Sequence, residues 1–520
     1  MRAGDGYPRQ QAFPPDGLTG HPGEPPGPPG PPGRAKPARP TWWIAPFVGG
    51  ALAVVAVFVA LQLTVFDHPA GHASAAASSP ATSNITGAPK VPMPAQVFPD
   101  TLFKRLTKDI QAKDEQGFLS LVAPGARPAV QTWWDNMQAI GFTTGLIMPT
   151  VKADQVNVNS QGDGSTTVFA GTHNALDPLD FKKNPAIPLE RYQIGLHFSS
   201  PTAVGQITAW KPLGDDPWDQ SGKLYVRQGT NVVVAGPAAD SAAVDETLPI
   251  AQAAAAYDVG LFNHVNPSDL RQLGFVVFVS SDPTVRGGWF ASTKQPSGWP
   301  TAFFGGFTAQ LPGPGASADT AFVPSNLSDD STGGARVVIT PFEDQNGGTP
   351  HLETAELVHQ FALDILSNEN QSVFGVSATV PSWAVEGFAV AVQALYEGNT
   401  NPAPDSYSFK ALNEGLTSLP ASYLTGDLPT SAELFTGTMA TEENWNDVAA
   451  SVYAYIATKY GMNQLLASAD LMWTQEPDPF ANVLKSNSGG TLTFYAKNTV
   501  QSGWEAGLAS PSSLSSLAGP

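Results

Sequence analysis

The sequence predicts an α+β fold in three stages: one N-terminal transmembrane helix, a unit of helices followed by an antiparallel sheet, and a mostly helical unit. Three observations carry this. No charged residue occurs between Pro40 and Phe66. Alternating apolar and polar residues recur in short runs between residues 155 and 235, the period of a half-buried strand. Beyond residue 245, apolar residues recur at helical spacing, with few strand-like runs.

The first 40 residues hold 12 prolines and 8 glycines, including the run PPGPPGPPG at Pro25–Gly33. Such a segment has almost nothing to bury and cannot offset its ordering entropy. We expect residues 1–40 to be a disordered cytoplasmic tail. An alternative role is a polyproline ligand for an SH3- or WW-type groove.

Residues 41–66 read TWWIAPFVGGALAVVAVFVALQLTVF. About 20 apolar residues suffice to cross the hydrocarbon core, and Trp42 and Trp43 stand where interfacial anchors belong. Five basic residues precede the run, and Asp67 and His68 follow it. The positive-inside rule then predicts a single-pass protein of the cell membrane, with its N-terminus cytoplasmic and its C-terminal domains outside. A cleaved signal peptide, with Ala73-Ser74-Ala75 as the processing site, is the competing reading. Residues 67–95, rich in Ala, Ser, Thr and Pro, are expected to be a linker; Asn84-Ile85-Thr86 within them fits a glycosylation sequon.

Composition narrows the chemistry. The 520 residues carry a net charge of −19 and no cysteine. The tail has five basic and three acidic residues, so residues 67–520 stand at −21. An acidic surface does not suit phosphate backbones, so no nucleic-acid partner is expected. Without cysteine there is no disulfide framework, thiolate zinc site or Cys nucleophile. Acidic clusters at Asp215, Asp216 and Asp219, and at Asp329 and Asp330, are expected to be solvated turns rather than Ca²⁺ loops.

Residues 96–240 open with helical periodicity at Leu102, Leu106 and Ile110, followed by a second helix carrying Trp133 and Trp134. Strand-like runs follow at Gln155–Asn159, Thr166–Ala170, Tyr192–Phe198, Gln206–Trp210, Lys223–Arg227 and Asn231–Ala235. This order of elements resembles the nuclear-transport-factor-2-like (NTF2-like) domain, whose curved sheet wraps around helices. The resemblance implies a concave pocket in which His173 and His197 could lie and a small ligand could be captured; a structural role for both histidines is the plainer expectation.

Residues 245–510 begin with a helix at Leu248–Val265 and a short apolar strand at Phe275–Val279, with another strand at Ala335–Thr340. The next helix is well signalled, with Thr349 as N-cap, Pro350 at the first position, and Glu353 and Glu356 in the first turns. It carries Glu356-Leu357-Val358-His359-Gln360-Phe361-Ala362-Leu363, and Trp383-Ala384-Val385-Glu386-Gly387-Phe388-Ala389 follows on the next helix.

This helix pair resembles the core of the gluzincin, or peptidase MA-like, zinc metallopeptidases. In that family H-E-x-x-H on one helix is followed by W-x-x-E-G-x-A on another. Two histidines at i and i+4 share a face and grip zinc, the intervening Glu activates a metal-bound water, and the later Glu is the third ligand. Leu428–Leu434, Ala449–Tyr460 and the segment around Trp504 also look like family elements, so the resemblance spans residues 245–510.

The departures decide what the resemblance implies. His359 stands at the first ligand position and Glu386 at the third, but Gln360 replaces the general base and Leu363 the second histidine. An amide cannot take a proton from water at neutral pH, and zinc in such sites takes three protein ligands plus water. His359, Gln360, Leu363 and Glu386 therefore form a vestigial site with no catalytic residue. Zinc is expected only if an altered set such as His359, Glu386 and Glu356 still binds it. The expected function is a membrane-anchored pseudo-metallopeptidase that binds or scaffolds an envelope protein or peptide, attached to the membrane through its one helix. An active zinc peptidase with altered ligands is the alternative.

Overall fold

The computed structural model describes residues 100–511, apart from internal segments of which 178–186, 291–305, 313–331, 342–349, 370–379 and 399–407 are the longest. The expected tail (1–40), transmembrane segment (41–66) and linker (67–95) all lie outside the described residues.

Chain folding starts with three helices, α1 (Asp100–Gln111), α2 (Glu115–Ser120) and α3 (Arg127–Ala139). Asp114 caps α2 by accepting from the Gly117 amide at 2.8 Å. A meander of four antiparallel strands follows: β1 (Phe142–Pro149), β2 (Asp163–Asn174), β3 (Glu190–His197) and β4 (Gln206–Pro212), paired in that order. The space between these helices and the sheet is filled by rings. Phe118 packs on Trp133 and Trp134, Trp134 meets Phe142 edge-on at 5.4 Å, and Tyr192 lies 4.5 Å from Trp210.

The expected strands at Lys223–Arg227 and Asn231–Ala235 do not extend this meander. As β5 (Leu224–Gly229) and β6 (Val232–Pro237), they open a second sheet. There β6 pairs in parallel with β7 (Phe275–Val279), after the long helix α4 (Ser241–Val265) has crossed over. A short helix, α5 (Pro283–Gly288), comes next. The sheet is completed by the edge strand β8 (Gly306–Pro312) and by β9 (Thr332–Ile339), parallel to β7, in the order β5-β6-β7-β9-β8.

The remaining elements are α6 (Pro350–Glu369), α7 (Ser382–Gly398), α8 (Lys410–Ser418), the single turn α9 (Ser431–Phe435), α10 (Met439–Tyr460) and α11 (Met462–Asp470). A small hairpin, β10 (Leu484–Ser488) with β11 (Thr491–Phe494), and a last helix, α12 (Lys497–Leu508), close the chain.

The fold class is corrected on two counts. Among the described residues no helix is long and apolar enough to cross a membrane. The longest, α4 and α10, carry Asp245, Glu246 and Asp258 in one and Glu442, Glu443 and Asp447 in the other. And the second half is not simply helical, because a five-stranded mixed sheet lies within it. The reason is the period-2 geometry of strands. In β6, Val232 and Val234 join a core shared with α4, α6, α7 and α10, whereas Val233 and Ala235 join the ring-filled core of the first sheet. β7 divides in the same way, with Phe275, Val277 and Val279 on one side and Val276 and Phe278 on the other. Strands buried on both faces read as continuous apolar runs, which is why FVVFV and VVVA look so uniform.

All described residues fall in one compact unit, Pro89–Pro520. A buried ion pair ties its two sheets together. Arg336 on β9 donates to Asp177, just past β2, through Nη1–Oδ1 at 2.7 Å and Nη2–Oδ2 at 2.9 Å. Asp177 also accepts from the Asn174 amide.

In the helical layer α7 crosses α10 at close range. A Cβ on Gly387 would stand 2.6 Å from the Ala449 carbonyl carbon. Tyr453 donates to the Ala384 carbonyl at 2.7 Å, and Trp504 Nε1 to Ser451 Oγ at 2.9 Å. Gly461, at φ 105°, makes the turn between α10 and α11. Gly387→Ala is expected to lower stability by about 1–3 kcal/mol, the usual cost of overpacking a tight contact. Urea unfolding checks this, and an unchanged midpoint would mean that the helices separate freely.

Candidate functional site

The two motif helices lie side by side, and their facing residues form a buried polar cluster. α6 starts at Pro350, whose missing N–H costs nothing there. His359 comes in its third turn, and Glu386 in the first turns of α7. His359 Nε2 lies 3.4 Å from Glu386 Oε2, and both side chains are more than nine-tenths buried. Among the described residues Glu386 Oε2 has no hydrogen-bond partner.

Burial disfavours the His359 imidazolium, but the adjacent Glu386 carboxylate, the charge of Glu356 and the neighbouring Gln393 outweigh it. The imidazole therefore holds its proton above the ordinary histidine range. For half-buried Glu356 burial is also the largest influence and pushes its carboxyl up, opposed by His359 and by the amide of Gln360.

Gln360, which the resemblance puts at the general-base position, is held on both sides. Thr308 Oγ1 on β8 lies 3.0 Å from Gln360 Oε1 and 2.9 Å from its backbone carbonyl, and Gln360 Nε2 donates to Glu356 Oε1 at 3.3 Å. Leu363, one turn after His359, belongs to the apolar core and is 5% exposed.

These residues do not fit a resident zinc ion. Two donors, His359 and Glu386, face each other, while Leu363 stands where the resemblance puts the second histidine. Tetrahedral zinc needs three protein ligands at about 2.0–2.2 Å. Among the described residues no group of three or more His, Asp or Glu side chains is placed to hold a metal. What the cluster can do chemically is share a proton between one imidazole and two carboxylates.

The structure thus brings His359, Gln360, Glu386 and Glu356 together, and sets Leu363 beside them in the core. Thr308 and Gln393 were not anticipated. Gln393 carried a signal, standing seven residues after Glu386 on the same helix face; Thr308, in a glycine-rich stretch, carried none. The histidines of the first sheet are elsewhere. His173 is buried, with Nδ1 2.7 Å from Thr143 Oγ1, and exposed His197 pairs with Asp163 at 2.7 Å. Asp216 and Asp219 line a cleft of about 270 Å³ together with Asp282, and Tyr192 donates to Asp219 at 2.8 Å; Asp329 and Asp330 lie outside the described residues.

No protein-family model matches the chain, and neither a curated protein nor a solved structure matches it.

Proposed function

We propose that this chain is a pseudo-metallopeptidase: a gluzincin-like framework that has exchanged its metal for a proton-sharing His–Glu cluster and acts by binding or scaffolding another envelope protein or peptide. The observation that carries this reading is the state of Gln360. Its side chain, at the position of the water-activating Glu, is engaged by Thr308 and Glu356, while Leu363 occupies the second ligand position. The envelope location rests on residues 41–66 and their flanking charges in the sequence.

Metal analysis of the purified protein tests it. The natural chain is expected to hold well under one zinc per molecule after incubation with zinc and desalting. Gln360→Glu combined with Leu363→His is expected to raise zinc affinity at least tenfold. Stoichiometric zinc in the natural chain, lost in Glu386→Ala, would overturn the reading in favour of an active peptidase with altered ligands.

A further inference from the structure

The helix α4 contains a buried acid. Asp258 is fully buried, and among the described residues neither carboxylate oxygen has a hydrogen-bond partner. It lies on the core face with Ala251, Ala254 and Phe262. Two ring contacts to α7 bracket it: Tyr257 lies 5.1 Å from Tyr396, and Phe262 lies 5.9 Å from Phe388.

The same helix carries a weak point. Pro249 lies inside α4 and has no N–H to offer the carbonyl of Asp245. Before it, Asp245 is tied to β5 by Arg227 Nε at 2.6 Å and by the Tyr225 hydroxyl. Beside it runs a groove of about 490 Å³ lined by Thr230, Leu248, Gln252, Ala253 and Ala256. The N-terminal part of α4 is therefore anchored to the sheet by polar contacts. The part after Pro249 packs mainly through apolar side chains around a carboxyl group, with one long polar contact, from the Thr230 amide to Gln252 Oε1 at 3.4 Å.

We propose that Asp258 is a proton-dependent latch: as the neutral acid it docks the part of α4 after Pro249 against α6 and α7, and its ionisation releases that part. An ionised carboxylate in an apolar core is far less favourable than the neutral acid. Burial alone pushes the Asp258 carboxyl well above the usual range.

The titratable and charged groups on the elements packed against α4 are Tyr225 and Arg227 on β5, Asp240 in the turn that leads into α4, His351, Glu353, Glu356, His359, Asp364 and Glu369 on α6, Glu386, Tyr396 and Glu397 on α7, and Asp470 on α11. β6 and β7 carry none. None of these adds to the effect of burial at Asp258. Because its folded-state value is raised above that of the unfolded chain, docking is favoured below the ordinary carboxylate range and weakens as pH rises through the folded-state value. His359, also raised, shifts stability in the same direction. The informative quantity is therefore the difference between the wild type and a variant that cannot ionise at position 258.

Hydrogen exchange over residues 250–265 of the full-length protein, corrected for intrinsic rates, measures this between pH 5 and 9. Protection in the wild type is expected to fall at least tenfold relative to Asp258→Asn across that range. Asp258→Leu serves as the comparator should the Asn variant not fold. Parallel profiles in wild type and variant overturn the proposal, and so does a flat wild-type profile without reference to any variant.

Discussion

Replacing Arg336 with alanine is expected to destabilise the protein by about 3–5 kcal/mol, the range found when one partner of a buried ion pair is removed. Arg336 and Asp177 have side-chain exposures of only 3% and 7%. Deleting the guanidinium leaves the Asp177 carboxylate with the backbone amide of Asn174 as its donor among the described residues, in a buried region where water does not readily replace the lost donors. The pair also joins the segment after β2 to β9, so its loss acts on the joint between the two sheets rather than on one strand. Pairing Arg336→Met with Asp177→Leu removes both charges and is expected to recover most of the loss, because apolar residues of similar volume often replace buried ion pairs at little cost. Denaturant unfolding of both variants provides the check. If Arg336→Ala stays within about 1 kcal/mol of wild type, the size of a surface pair, the joint is solvated and the reading is wrong.

Phe361→Ala is expected to cost a similar amount, about 3–5 kcal/mol, as for other buried aromatic truncations. Phe361 stacks on Phe275 with ring centroids 3.9 Å apart and planes 2° from parallel, and both rings are buried. The contact seats α6 on β7, two residues beyond His359. The void left by alanine would loosen the helix that carries the polar cluster. Phe361→Leu, which keeps most of the volume, is expected to lose clearly less. Equal losses for Leu and Ala would show that ring shape, rather than filled volume, seats the helix. A loss under 1 kcal/mol for Ala would show that the site collapses around it. Thermal unfolding with a denaturant series distinguishes these outcomes.

Parts of this architecture were legible from residues alone. The start of α6 was readable because Pro350 and the acidic first turns are local signals. The meeting of His359 with Glu386 was expected from the resemblance carried by the two helices, and the structure places the two side chains 3.4 Å apart. Three of the four meander strands, β2, β3 and β4, were readable from period-2 runs between turns; β1 was not, and of the run expected at Gln155–Asn159 the described residues form only a bridge from Val158 to Gly164. The placement of β5 and β6 was not. Their alternation is the same whether they extend the first sheet or found a second one. Nor did the sequence reveal that a mixed sheet underlies the helices: the runs at β7 and most of β9 read as strands, but their parallel pairing with β6 and with each other is non-local, and β8 went unnoticed.

The functional details divide along the same line. That Gln360 is no base and Leu363 no ligand is a property of residue type and position, and needs no coordinates. That Gln360 is instead held by Thr308, 52 residues away in the chain, depends on how the edge strand β8 lies along α6. The buried acid at Asp258 divides likewise. The sequence by itself determined that an aspartate stands in an alanine-rich helix, a pattern that suits an exposed polar position equally well. Only the tertiary structure decided that this face turns inward, because burial follows from which sides of α4 are covered by the sheet, α6 and α7, and that covering is a non-local choice.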